Sequence, residues 1–190
     1  MLKHVRPALV LLALFTVLTG LVYPLAIAGA GQALFREQAE GSAIVRDGNV
    51  LGSRLIGQQF TRPEYFWGRP SAAGKGYDAR ASAGSNLGPS SQALADRITA
   101  EAERYGQPAG EIPADLLTAS ASGLDPHISP AAARFQISRV SAARGIPVDA
   151  VAKLVENHVE TPSLGFLGEP RVNVLELNLA LDDFMRTSPR

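Results

Sequence analysis

From Pro7 to Phe35 the chain carries 29 consecutive residues without a charged side chain. Nothing else in it limits the possible folds so sharply. The centre of the run, Ala8 to Phe15, is apolar on every face, and a helix with no polar face cannot lie at the surface of a water-soluble domain. A helix crossing a hydrocarbon core of about 30 Å needs about 20 apolar residues. At about 1.5 Å per residue this run reaches roughly 43 Å, enough to span with tilt. Pro24, which has no N–H, is expected to kink the helix toward its far end, with Tyr23 at interface depth.

A cleaved export signal is the competing reading. Lys3 and Arg6 supply a positive leader, Ala8 to Leu21 an apolar stretch, and Ala26-Ile27-Ala28 an A-x-A-like cleavage site. The anchor is preferred because apolar character continues through Ala30, Ala33, Leu34 and Phe35, which a cleavage region does not require. Both readings give one orientation. Lys3 and Arg6 precede the run and no acid comes before Arg36, so the positive-inside tendency holds the short end in the cytoplasm. The expected division is a cytoplasmic stub at 1–6, a transmembrane helix at 7–35 and an extracytoplasmic domain at 36–190, in the cell (inner) membrane.

Residues 36–190 hold 16 basic and 18 acidic side chains, and the whole chain of 190 residues has a net charge of +0. With no basic surplus to neutralise phosphates, a nucleic-acid partner is disfavoured. Hydrophobic residues at 46% and charged residues at 19% describe a globular chain. The absence of cysteine excludes disulfides, zinc–thiolate sites and a cysteine nucleophile.

Along the exported part, Ala43 to Leu51 reads as a hairpin, because Asp47-Gly48 accepts the positive φ of a tight turn. Leu55-Ile56-Gly57 and Gln59-Phe60 are candidates for a further strand. Arg62 to Pro89 is punctuated by Pro and Gly, with Tyr65, Phe66, Trp67 and Tyr77 interleaved with Arg62, Arg69, Lys75 and Arg80. A stretch so long without periodicity implies a functional loop or one packed around its own aromatics, and local core is the preferred reading. Helical signals follow. Ser90 or Ser91 caps a helix that ends at Gly106, and Ile112 to Ala121 is a short segment with partial strand character. Ser129-Pro130 opens a helix running to Gly145, and Pro147 opens the next. Asn173, three residues before Glu176, forms a capping box, although Val172 to Leu181 also alternates as a strand does. The expected fold class is a single helix-rich α+β domain with a small sheet behind one transmembrane helix.

Catalytic motifs do not assemble. Gly74-Lys75 fails the phosphate-loop pattern, because Arg69 stands five residues earlier and Gly76 follows the lysine. Ser85 lacks the upstream glycine of a nucleophile elbow. Asp125, His127 and Ser129 could form an acid–base–nucleophile set or a metal site. The preferred alternative is that Asp125 and Ser129 cap the following helix while His127 bonds a carboxylate or carbonyl. His158 reads as a helix-end residue compensating the dipole. Ser82, Gly84, Ser85, Asn86 and Gly88 belong to a small-residue loop whose form lets a partner or ligand approach closely, although a tight loop entering the next helix is the preferred reading. With Asp125 and His127 these are the partner- or ligand-binding candidates; no catalytic and no metal residues are assigned.

Taken together the segments resemble the C subunit of the Kdp potassium-transporting ATPase. The resemblance rests on the apolar N-terminal helix, Tyr65 to Ala72, Gly84 to Pro89, Thr118 to Pro130, Gly165 to Leu175 and Leu177 to Asp182. Ala121 departs from it, where the family more often has Gly. The resemblance implies a non-enzymatic subunit of an ATP-driven potassium uptake complex. Its partners would be a potassium-selective A subunit, an ATP-hydrolysing B subunit, a small F subunit and the lipid bilayer. It implies no intrinsic cofactor, with ATP reached through the B subunit, whose ATP affinity the family is described as raising as a catalytic chaperone. Nucleotide is cytoplasmic whereas the charge bias puts residues 36–190 outside, so a clamp at the outer mouth of the pump is the preferred form. The alternatives are a membrane-anchored extracytoplasmic ligand-binding module and an exported hydrolase using Asp125 and His127.

Overall fold

In the computed structural model, which describes residues 2–187, a helix runs from Val5 to Leu34 and takes in all of the uncharged run except Phe35. It comprises α1 (Val5–Val17), one wide π-helical turn (Leu18–Val22) and α2 (Tyr23–Leu34). The expected effect of Pro24 is thereby located. Its missing donor would have met the carbonyl four residues back, at Gly20, which lies inside the wide turn. The helix absorbs the proline by widening locally, a known response to a lost backbone bond. The Thr19 hydroxyl donates to Phe15 O at 2.7 Å, so it is satisfied within the apolar stretch. No side chain of α1 or α2 is buried against the rest of the chain. At Phe35 the backbone leaves helical geometry, and a single turn, α3 (Arg36–Ala39), follows.

The hairpin forms as expected, from β1 (Ala43–Arg46) and β2 (Asn49–Ser53), with positive φ at Asp47 and Gly48. The chain divides into two compact units, residues 1–51 and 52–190. The further strand expected over Leu55 to Phe60 is absent: Ile56 N–H closes a turn onto Ser53, and Gly57 N–H donates to Leu124 O at 2.7 Å.

The second unit is α+β. Its elements are α4 (Gln92–Tyr105), β3 (His127–Ile128), α5 (Pro130–Arg144), α6 (Val148–Asn157), β4 (Val159–Glu160), β5 (Arg171–Asn173) and α7 (Val174–Thr187). The sheet is antiparallel in the order β3-β5-β4, with Ile128 and Val159 both paired to Val172. Gly106 and Gly145 end α4 and α5 in the left-handed region, as their positions predict. Ser91 precedes α4 without a side-chain cap bond. The strand character expected within Ile112 to Ala121 gives way to a 3-10 turn at Ala114–Leu116, because Pro113 presets a turn that Leu116 N–H closes at 2.9 Å. Both readings of the 172–181 stretch hold in part. Residues up to Asn173 are strand, then Asn173 Oδ1 accepts from Glu176 N–H at 3.2 Å and α7 begins.

The core gathers Leu116, Ile128, Val140, Val155, Val172, Leu177 and Leu181 with the ring of Phe66. Phe66 and Trp67 lie in the irregular 62–89 stretch and are both buried, as the local-core reading expects, whereas Tyr65 and Tyr77 are only half-buried and lie outside the core.

Candidate functional site

The polar cluster expected around Asp125 is real, but its wiring differs in part. Asp125 Oδ1 accepts the backbone N–H of His127 at 3.0 Å and lies 3.3 Å from His127 Nδ1. Its other oxygen meets Arg69 Nη1 at 3.3 Å. Asp125 therefore caps a local turn and not the following helix, which corrects one half of the expected capping pair. Ser129 fulfils the other half, its hydroxyl accepting from Ala132 N–H at 3.0 Å at the start of α5. That hydroxyl also contacts Asp115 Oδ1 at 3.2 Å, while Ser129 N–H donates to Asp115 Oδ2 at 2.7 Å. A nucleophilic relay needs the imidazole between acid and hydroxyl. Here Ser129 is bound to Asp115 and His127 to Asp125, so four side chains form two separate pairs and the imidazole does not stand between Asp125 and the Ser129 hydroxyl. Among the described residues no group of His, Asp and Glu is arranged to hold a metal ion.

Burial works to raise the Asp125 carboxyl, yet the side-chain and backbone hydrogen bonds of His127, with the charges of His127 and Arg69, hold it below the usual range. Arg69 is itself braced, donating to Thr118 O at 3.4 Å and Ala119 O at 3.3 Å. Tyr77 donates to Arg69 O at 2.6 Å. Burial, reinforced by the Asp125 charge, pushes that phenol up to about 12.

The small-residue loop packs on the same neighbourhood. Ser82 Oγ and Ala83 N–H both donate to Ser122 O, at 2.9 and 3.0 Å. A Cβ on Gly84 would sit 2.9 Å from Ala121 O, so this glycine allows two backbones to touch. Ser85 is half-buried, Asn86 takes a positive φ, and Gly88 O accepts from Ser91 N–H at the entry to α4. Ala121 and Ser122 also line a groove of about 640 Å³ with Asp125, so the two sets of candidates are neighbours. A second groove, of about 350 Å³, contains Asp125, His127 and Ser129, together with Glu169 and Arg171 from the entry to β5. His158 Nδ1 meets Leu154 O at 2.8 Å at the end of α6, a helix-end contact as expected.

Several residues that organise this unit carry no motif. The guanidinium groups of Arg104 and Arg139 both lie over the Trp67 ring, at 4.0 and 3.8 Å from its centre. Burial pushes the Arg139 guanidinium down to about 10. Gln136 and Asn178 hold the backbone of Trp67 and Phe66. Their signal was an amide inside an apolar helical stripe, since a polar side chain there must find a buried partner.

Residues 5–183 match the family profile described as K+-transporting ATPase, c chain, KdpC. The chain is 59% identical over 185 residues to the potassium-transporting ATPase KdpC subunit of Caulobacter vibrioides, covering 96% of this chain and 94% of that protein. It is 57% identical over 193 residues to the protein of that name from Gemmatimonas aurantiaca, covering 100% and 97%. The likewise-named Polaromonas naphthalenivorans protein is 59% identical over 182 residues, covering 93% of each chain.

Proposed function

The chain belongs to the KdpC family of K+-transporting ATPase c chains, and from that premise we propose that it is a non-catalytic subunit of an ATP-driven potassium uptake complex. Its role is to assemble and stabilise the complex, with the potassium-selective A subunit, the ATP-hydrolysing B subunit and the small F subunit as partners. The family match over residues 5–183 carries the proposal. The 30-residue apolar helix supports it, because with no side chain buried in its own chain it needs lipid or other helices as cover.

The domain after that helix stands on the extracytoplasmic side, since Lys3 and Arg6 stand at its leading end, ahead of the uncharged run. It clamps the outer mouth of the pump at the potassium entrance. A rise in the B subunit's ATP affinity, the chaperone role described for the family, then arrives as coupling across the membrane and not through nucleotide bound to this domain.

Two measurements test this reading. Affinity-tagged full chain, extracted from membranes, is expected to retrieve larger membrane partners together with potassium-stimulated ATPase activity. Recovery as a lone monodisperse species overturns subunit membership. The natural chain has no cysteine, so Arg80→Cys supplies a single exposed label site. Labelling by a membrane-impermeant maleimide in intact spheroplasts is expected, and labelling only after rupture overturns the orientation.

A further inference from the structure

A small cleft lies where α4 passes the irregular 62–89 stretch. Its walls include Ser71, the Lys75-Gly76 turn and, from one face of α4, Arg97, Glu101 and Arg104. Four of its five charged side chains are basic, with Arg69 the fourth and Glu101 the lone acid. In a chain whose charges sum to +0, that is a local excess.

The excess survives a count of partners. Arg69 is matched by Asp125 at 3.3 Å, and Arg104 lies 3.7 Å from Glu101. Asp78, on the same turn as Lys75, faces Arg80 at 3.9 Å and is not part of the wall. Among the described residues Lys75 and Arg97 meet no carboxylate. Arg97 is half-buried, and its Nη2 donates to Ser71 O at 2.9 Å. That bond brings no negative charge and leaves the rest of the donor fork open. Withdrawing a guanidinium from water without a counter-charge is costly, and cleft walls concentrate the field of like charges on whatever enters.

Size and donors set the class of ligand. The cleft measures about 150 Å³, well short of the roughly 300 Å³ at which sites for drug-sized ligands begin. A nucleotide is too large for it, whereas one phosphate-sized oxyanion is not. A planar guanidinium fork and an ammonium together match the oxygens of such an anion. Gly76, at a φ of +109°, leaves open space where a side chain would stand, so an anion can approach the backbone beside Lys75. We propose that the cleft binds one phosphate-sized oxyanion, held by Arg97 and Lys75. Free inorganic phosphate and a phospholipid headgroup present the same chemistry to these two side chains.

Trp67, the chain's single tryptophan, has Arg104 of the cleft wall 4.0 Å over its ring and so reports on occupancy. Inorganic phosphate is titrated into the full chain in nonionic detergent, at an ionic strength fixed with chloride, by calorimetry and by Trp67 emission. Saturable binding is expected, weakened about tenfold in Lys75→Gln and in Arg97→Gln. Arg80→Gln, an exposed control, should bind as the parent does. Lys75 is exposed and braces nothing, so Lys75→Gln decides the matter even where Arg97→Gln melts early. Nanodiscs of phosphatidylglycerol distinguish the sources. Phosphate affinity about tenfold weaker there than in detergent makes the lipid headgroup the occupant, and equal affinity makes it the free anion. No saturable phosphate binding in detergent, or binding kept in full by Lys75→Gln, overturns the site. Neither result touches the subunit role, because the measurement uses this chain alone.

Discussion

The side-chain amide of Asn178 closes two hydrogen bonds on the backbone of Phe66, accepting from its N–H at 2.8 Å and donating to its carbonyl at 3.0 Å. A strand neighbour would make the same two bonds. Gln136 repeats the device on Trp67, at 2.8 and 3.0 Å. Two amides, one from α7 and one from α5, thus replace a β-ladder for an irregular segment whose rings belong to the core. Both amides are almost wholly buried, where an unpaired backbone group is costly.

Asn178→Leu keeps the volume roughly and removes both partners. It strands a buried N–H and C=O, at about 1–3 kcal/mol each. The expected loss is about 3 kcal/mol, read as a fall in Tm of roughly 5–10 °C for the full chain in detergent. Asn178→Asp keeps the acceptor but buries a carboxylate against the Phe66 carbonyl, so it should destabilise at least as much as Asn178→Leu near neutral pH.

Ser129 and Asp115 act as one unit at the start of α5. Ser129→Ala should cost about 1 kcal/mol, the usual value of a hydroxyl N-cap. Because Asp115 binds both the hydroxyl and the N–H of Ser129, the double variant with Asp115→Ala is expected to be less destabilised than the sum of the singles. A double-mutant cycle by denaturant titration measures the difference.

The depressed carboxyl of Asp125 makes a signed prediction. A carboxylate whose folded pKa lies below its unfolded value contributes stability that is fully present above the unfolded value of about 3.9, and that is lost as pH falls through the folded one. The stability advantage of the parent over Asp125→Asn should therefore be constant near neutral pH and shrink as the solution is acidified below about pH 4. His127→Ala removes the hydrogen bonds and charge of the imidazole, so a carboxyl-carbon NMR titration should show Asp125 moving up.

Three glycines separate packing from recognition. A Cβ on Gly123 would meet Ala83 O at 2.6 Å and Ala73 N at 2.7 Å, at a φ of +67°. Gly123→Ala is expected to cost about 3 kcal/mol or more, since backbone must move. Gly84→Ala, 2.9 Å from Ala121 O, should also destabilise. Gly88→Ala meets no atom within 4 Å and should change Tm by no more than about 2 °C. Thermal melting of the three variants checks the order.

What the chain determines locally was legible. The uncharged run, the Asp47-Gly48 hairpin, the Ser129-Pro130 helix start and the Asn173 cap each depend on neighbours within a few residues, so their physics is written in the order of the side chains. Asp125 was legible as a backbone cap, but the expected target, the helix ahead, was wrong: it accepts from His127 N–H while its other oxygen meets Arg69, a residue 56 positions earlier. The strand expected over 55–60 failed because a ladder needs a partner edge, and Gly57 found the backbone of Leu124. The pinning of Phe66 by Asn178 spans 112 positions, and the pairing of Ser129 with Asp115 joins a helix start to a preceding turn. Such contacts depend on how helices α5 and α7 close over the loop, and they arise because every buried N–H and C=O must find a partner once water is gone.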